Sequence, residues 1–201
     1  VRGDDDVAHC TAFRFPSIAG EFEGAARTGF VSKALRGAIV APPLPQTTTQ
    51  VDWVAGASVL LRGEMLRDIG LFDEAFFLYF EETDLCKRAA RAGWECWYVP
   101  KSRVVHIGSV STGMKEWQRM PLYWFASRRH YFVKNHGRIY AGLAWAARLS
   151  GGMIHQVRCA MSGQKPQDAP YFQRDLLRHG LGLGLAESSR MTNRPTTEDR
   201  P

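Results

Sequence analysis

Residues 72–106 read FDEAFFLYFEETDLCKRAARAGWECWYVPKSRVVH, and the rest of the 201-residue chain is organised around them. An aromatic run leads into three clustered carboxylates, Glu81, Glu82 and Asp84, at the entrance of a basic helix predicted over 83–92. Acidic side chains in the first turn of a helix are favoured by about 0.3–1 kcal/mol each, which explains the cluster structurally. Apolar walls and neighbouring like charges, however, raise the pKa of a carboxyl group and suit it to general-base work. The residues alone leave both interpretations open.

The same stretch continues through two predicted strands, over 95–99 and 103–106. Their alternating or β-branched residues favour extended structure, and Gly93 is expected just after the helix because it tolerates a left-handed backbone. His106 ends the second strand. An imidazole there is a possible metal ligand, although a single histidine after an apolar strand is more often structural.

Upstream, the pattern is weaker until residue 51 and then predicts a buried strand that contains Trp53 and Gly56. The run of three aspartates at 4–6 is interpreted as a solvated loop. The predicted upstream elements are a strand over 12–16, a loose helix over 17–36, the buried strand over 51–63, and a helix over 64–69 capped by Gly70.

The character of the chain changes after residue 113, where aromatic and basic residues interleave. Residues 114–180 carry 11 Lys and Arg against 3 Asp and Glu, a balance of +8 that exceeds the +6 of the whole chain. A helix is predicted over 139–149, ended by Gly151 and Gly152, and another over 171–179. Three roles remain open for this segment: packing on the preceding domain, an interfacial pair of membrane helices, or nucleic-acid binding.

Composition narrows the class of protein. The net charge of +6 and a pI near 9.4 suit an anionic partner such as a nucleotide or a phospholipid surface. The four cysteines form no CxxC pair, which argues against a zinc site. They are scattered and mostly flanked by apolar residues, which suits a reducing cytosol better than a disulfide framework. No apolar run reaches the roughly 18 residues of a membrane-spanning helix. The chain opens without Met on a polar turn, so we expect a fragment of a longer protein.

Three ordered motifs point to a known family: VDWVAGASVLLR at 51–62, GLFDEAFFLYFEETDLCKRAARAGWECWYVP at 70–100 and RVVHIGSVST at 103–112. Together they closely resemble the C-terminal half of family 2 glycosyltransferases of GT-A fold, in the bacterial rhamnosyltransferase-like branch. The resemblance covers about residues 12–113 and implies an α/β fold, with the incomplete, acceptor-side half of a nucleotide-sugar-binding domain over 1–113. The residue pattern beyond it predicts a basic helical extension over 114–185 and a disordered tail over 186–201.

The resemblance also implies roles for single residues. Glu82 matches the catalytic base, where the family commonly has Asp. The departure shifts the reach of the carboxylate by about 1.5 Å, one carbon–carbon bond. The family's FDE segment falls on Asp73 and Glu74, where a structural turn is as plausible as substrate contact. The other implied roles are acceptor binding by Glu81, Asp84, Trp53 and Gly56, with Asp84 also a candidate partner of Arg88, and metal ligation by His106.

The function implied is inverting transfer of a sugar, rhamnose being one candidate, from a nucleotide-sugar to a cell-wall or surface-polysaccharide acceptor. The family resemblance implies Mg²⁺ or Mn²⁺ as cofactor, a glycan or polyprenyl-linked acceptor, an anionic membrane surface as a further partner, and no nucleic acid. It places the protein in the cytoplasm at the inner face of the membrane. The family's donor-binding aspartate motif does not occur here, so we expect the isolated chain to be inactive. The alternative is a non-catalytic remnant or a membrane-associated binding module.

Overall fold

The computed structural model describes residues 1–3, 7–106 and 119–182. In these ranges helices alternate with two small antiparallel sheets, an arrangement compatible with the α/β class. Three predicted segments lie outside the described residues: the aspartate run at 4–6, the loop over 108–113 and the tail over 186–201. In chain order the elements are β1 Ala12–Phe13, α1 Ile18–Ala26, α2 Gly29–Ala34, β2 Thr49–Val51, β3 Trp53–Val54, α3 Gly63–Ile69, α4 Glu81–Arg91, β4 Cys96–Tyr98, α5 Leu122–His136, α6 Arg138–Ser162 and α7 Phe172–Gly180.

The predicted strand over 51–63 is wrong in its extent. The chain instead splits at Asp52, with β2 pairing with β4 and β3 pairing with β1, both antiparallel. The carboxylate of Asp52 accepts a hydrogen bond from the Phe15 backbone N–H at 2.7 Å, which helps to fix this switch between sheets. Residues 55–62 form a loop in which the side chain of Leu60 is 99% exposed. Apolar content therefore misled the prediction, because this part of the run is not buried.

The single helix predicted over 17–36 is two helices, α1 and α2. Each has its own N-cap: the Ser17 hydroxyl accepts from the Gly20 N–H at 3.1 Å, and the Thr28 hydroxyl accepts from the Val31 N–H at 3.2 Å. Arg27 ends α1 in the left-handed conformation, with φ of 49°. Side-chain capping of this kind satisfies backbone groups that a continuous helix would pair internally, which explains the break.

The central helices are confirmed. Helices α3 and α4 lie where the sequence predicts them, and Gly70 and Gly93 follow them with φ of +80° and +87°. The strand predicted over 95–99 is confirmed as β4. The strand predicted over 103–106 is reduced to an isolated parallel bridge between Val105 and Arg2.

The predicted break at Gly151 and Gly152 is wrong, because α6 runs through both residues. Gly151 lies where α6 crosses α1, and a Cβ there would sit 2.6 Å from the Phe22 carbonyl oxygen. Glycine thus serves close helix packing rather than helix termination. The helix ends instead at Gly163, which is left-handed with φ of +66°.

The helical extension packs on the rest of the chain through buried aromatic and ionic contacts. Phe76 of the central stretch shares a core cluster with Tyr131 and Phe132 of α5. The carboxylate of Glu21 in α1 forms ion pairs with Arg128 of α5 at 2.9 Å and with Arg148 of α6 at 3.3 Å. Burial alone would raise the pKa of Glu21, but the two guanidinium groups hold it below its ordinary value. Of the three roles left open for this segment, packing is therefore present.

Within residues 1–3, 7–106 and 119–182, no helix combines the length and the apolar character that crossing a bilayer requires.

Candidate functional site

The first turn of α4 carries the candidate site, and an unusual backbone leads into it. Tyr79 and Phe80 are both left-handed, with φ of 68° and 70°, a conformation that costs non-glycine residues energy and tends to occur at functional sites. Contacts with α5 hold them there: Tyr79 stacks on Tyr123 with ring centroids 6.3 Å apart, and Phe80 meets Tyr131 at 5.6 Å. These two left-handed residues turn the chain, so that the first turn of α4 follows directly after the aromatic cluster.

Glu82 is half-buried and held at one oxygen. Its Oε1 accepts a hydrogen bond from the Gly56 backbone N–H at 3.2 Å, so two predicted site residues 26 positions apart meet. Its Oε2 is buried and has no hydrogen-bond partner among the described residues. A buried carboxylate oxygen without a partner is costly, and a hydroxyl group of a ligand would satisfy it. The geometry therefore suits a group that accepts a proton or a hydrogen bond.

Glu81 is the neighbouring half-buried carboxylate. Burial raises its pKa, the negative charge of Glu82 raises it further, and a hydrogen bond from its own backbone N–H works in the opposite direction. Its Oε2 is likewise buried without a partner in the described part of the chain. Burial therefore favours the protonated form of Glu81, which lies next to the anchored carboxylate of Glu82.

Asp84 has a structural role. Its carboxylate is fully buried and accepts hydrogen bonds from Arg88 at 2.9 Å, Lys134 at 2.7 Å and Asn135 at 2.8 Å. Burial would raise its pKa, but the hydrogen bonds from Lys134, Asn135 and Arg88 outweigh burial and lower it. Both oxygens therefore accept hydrogen bonds from other parts of the chain, and contact of Asp84 with an acceptor stays a prediction. The contact with Arg88 that the sequence suggested is present.

Asp73 of the FDE segment also has a structural role. Its Oδ1 accepts from the Ala75 N–H at 2.9 Å, and its Oδ2 contacts His130 at 3.0 Å and Lys134 at 2.7 Å. These contacts, with the His130 hydrogen bond foremost, lower the pKa of Asp73 far below its ordinary value. Sequence reasoning missed His130, Lys134 and Asn135 as partners, because they lie some 50–60 residues away on α5. The excess of basic residues after 113 was the available signal.

Trp53 positions the strand that leads to Gly56. Its ring stacks on Phe13 at 4.2 Å, and its indole N–H donates to the Arg14 carbonyl oxygen at 2.9 Å. These contacts join β3 to β1 and hold the backbone just before Gly56. Trp53 therefore acts on the site through Gly56 in the described structure, whereas its contact with an acceptor stays a prediction.

His106 is exposed, and its backbone N–H donates to the Arg2 carbonyl oxygen at 2.9 Å. Across the ranges that the structure describes, no group of three or more His, Cys, Asp or Glu side chains is placed to hold a metal ion. Metal ligation by His106 stays a prediction.

An open cleft of about 780 Å³ runs along α4 beside β4 and the loop over 55–62. Leu85 and Cys86 line it from α4, and Trp94 and Trp97 line it from the following segment. Glu82 precedes Leu85 by three residues and Cys86 by four, so it lies on the same face of the helix. Glu82 itself does not line the cleft, but it lies one helical turn before two residues that do.

Part of the chain is similar to glycosyltransferases of two bacteria. The chain is 32% identical over 111 residues to N-acetylglucosaminyl-diphospho-decaprenol L-rhamnosyltransferase of Mycobacterium tuberculosis, covering 42% of this chain and 36% of that protein. It is 40% identical over 58 residues to rhamnosyltransferase WbbL of Escherichia coli, covering 29% of this chain and 22% of the relative. Pre-mycofactocin glycosyltransferase of M. tuberculosis is 36% identical over 77 residues, which cover 38% of this chain and 15% of that protein.

These relatives support a glycosyltransferase family for the chain and a transferase in general. The matched part spans about a third of the length of the first relative, 36%. No protein-family profile matches the chain. No solved structure matches it either.

Proposed function

We propose that this chain forms the acceptor-side part of an inverting glycosyltransferase, of family 2 and GT-A fold, that uses a nucleotide-sugar donor. The observation that carries the proposal is the hydrogen bonding of the two carboxylate oxygens of Glu82. One of its oxygens is anchored by the Gly56 amide at 3.2 Å, and the other is buried without a partner among the described residues. An oriented carboxylate with one open oxygen is what activation of a hydroxyl group requires.

In the proposed reaction, the open oxygen of Glu82 removes the proton of an acceptor hydroxyl group. The hydroxyl oxygen then forms a bond to the anomeric carbon of the donor sugar. The bond from that carbon to the nucleoside diphosphate breaks, and the diphosphate leaves with the electron pair. A single displacement of this kind inverts the anomeric configuration. Glu81 accepts a hydrogen bond from the acceptor and orients it for attack.

Rhamnose is the sugar we propose, because two of the similar proteins are rhamnosyltransferases. A polyprenyl-linked glycan is the proposed acceptor, since the name of the M. tuberculosis relative specifies a sugar on diphospho-decaprenol. The chain covers only 36% of that relative, so transfer is proposed for a protein that holds this chain together with a donor-binding region. The Mg²⁺ or Mn²⁺ ion, metal ligation by His106 and a location at the inner face of the membrane remain parts of the proposal.

The decisive experiment replaces Glu82 with Gln in such a protein and measures sugar transfer. The amide keeps the shape of the side chain but cannot take a proton, so we expect the rate of transfer to fall about 10²–10⁴-fold. Glu81→Gln should act mainly on the Michaelis constant for the acceptor. Glu64→Gln is the control, because Glu64 is 68% exposed on α3 and outside the site.

Transfer that persists within a few-fold in Glu82→Gln, with a large loss in Glu81→Gln, would move the role of base to Glu81. Full activity in both variants would refute the proposed site. It would leave the non-catalytic binding module as the function of this chain.

A further inference from the structure

Helix α6 has one buried face and one exposed face. One face is buried against the rest of the fold and includes Ala144, Gly151, His155 and Cys159. The other is apolar yet exposed along the whole helix: Ile139 at its start is 84% exposed and Met161 at its end is 85% exposed. The large apolar side chains of this outer face are Ile139, Leu143, Met153, Ile154, Val157 and Met161.

These side chains form a straight stripe. At 100° per residue, positions 139, 143, 153, 154, 157 and 161 fall within about 60° of one line along the helix. The stripe runs from residue 139 to residue 161, which at 1.5 Å per residue is about 33 Å. Between the pair at 139 and 143 and the group at 153–161, only the small residues Ala146 and Ser150 lie on this line. An exposed row of large apolar side chains of this kind indicates a docking face.

The charged residues that α6 itself carries are all positive. Helix α6 carries three arginines and no Asp or Glu. Arg148 is used internally by Glu21, whereas Arg138 and Arg158 are exposed beside the stripe, and Lys165 is exposed just beyond the helix. An apolar stripe with a cationic rim complements the acyl chains and headgroups of an anionic lipid surface.

The same charges disfavour a second copy of the chain as the occupant. Two stripes packed face to face would bring the cationic rims together, and the helix has no carboxylate to oppose them. We therefore infer that the outer face of α6 is a membrane-docking surface that lies in the headgroup region of an anionic bilayer, parallel to its plane. Its apolar side chains enter the acyl boundary, and Arg138, Arg158 and Lys165 contact lipid phosphates.

The test is flotation of the full 201-residue chain with phosphatidylcholine vesicles that contain or lack phosphatidylglycerol. We expect binding to the anionic vesicles that weakens with added salt. The double variant Val157→Glu/Met161→Glu should bind at least about tenfold more weakly, because two side chains lose their apolar contact with lipid. Arg158→Gln should weaken binding about fivefold, and only to anionic vesicles.

Leu60→Glu is the matched control, since Leu60 is 99% exposed and lies on the loop over 55–62, away from α6. It adds the same kind of charge at an exposed leucine, and we expect vesicle binding within about twofold of the original. Circular dichroism and the thermal midpoint of each variant report whether the fold is kept. All the substituted residues are exposed, so the fold should persist.

Equal flotation of the double variant and the original chain would overturn the inference. So would a stable dimer in sedimentation that Val157→Glu/Met161→Glu dissociates, because the stripe would then be covered by a second copy. Vesicle binding requires neither donor nor acceptor sugar. Its failure would leave the proposed transfer reaction untouched, and a failure of Glu82→Gln to impair transfer would leave the docking surface untouched.

Discussion

Gly151 marks the crossing of α6 over α1, and replacing it with alanine tests how closely the helical extension packs on the rest of the chain. A Cβ at this position would lie 2.6 Å from the Phe22 carbonyl oxygen, 3.0 Å from the Ala25 Cβ and 3.0 Å from the Ala26 nitrogen. Two of these three atoms belong to the backbone of α1, which cannot move aside as the end of a long side chain can. The helices must therefore separate to admit the methyl group.

The magnitude follows from two opposing terms. Alanine gains about 1 kcal/mol over glycine in a helix interior through its propensity. Overpacking a tight contact typically costs about 1–3 kcal/mol, and overlap with backbone belongs at the upper end. We expect Gly151→Ala to lower the free energy of unfolding by about 2 kcal/mol. Gly142→Ala on the same helix meets no atom within 4 Å, so it should gain up to about 1 kcal/mol.

Equilibrium unfolding in urea measures both effects. With similar slopes, the midpoints of the two variants should move in opposite directions from that of the original chain, and the variants should differ by about 3 kcal/mol. If Gly151→Ala is as stable as Gly142→Ala, α1 and α6 do not make the close contact described. In that case the explanation given for the unbroken course of α6 through its glycine pair would be wrong as well.

Two further predictions concern buried charges. Asp84→Asn should lower the free energy of unfolding by about 2–3 kcal/mol, because Arg88 and Lys134 lose their carboxylate. In the same urea assay, the free energy of unfolding of the exposed control Glu64→Gln should stay within about 0.5 kcal/mol of the original. Equal effects of the two substitutions would contradict a structural role for Asp84. The pKa of Glu21 is lowered in the fold, so its contribution is complete above the unfolded value near 4.3 and is lost as the pH falls through the folded value. The stability difference between the original chain and Glu21→Gln should therefore shrink from about pH 6 towards about pH 3, and a constant difference would refute the ion pair.

The elements with strong local signals were predicted well. Helix α4 has good helix formers, acids in its first turn, basic residues in its last turn and a glycine after its end, so local preferences all agree. Its candidate base was also named from sequence, through the resemblance of the FEE segment to a known motif. The strand predicted over 51–63 failed, since apolar residues form buried strands only where partners cover them. The loop over 55–62 leaves Leu60 exposed.

By itself, the sequence determined which residues carry the carboxylate pair, the positions of α3 and α4 to within two residues, and that the segment after 113 is basic and aromatic. These properties depend on neighbours in the chain. Only the tertiary structure showed that the Gly56 amide anchors Glu82, that Asp84 bonds to Lys134 and Asn135, and that the outer face of α6 is exposed. Each of these features depends on which residues, distant in the sequence, come together in the fold. Such contacts depend on how whole elements pack, which local residue patterns do not encode.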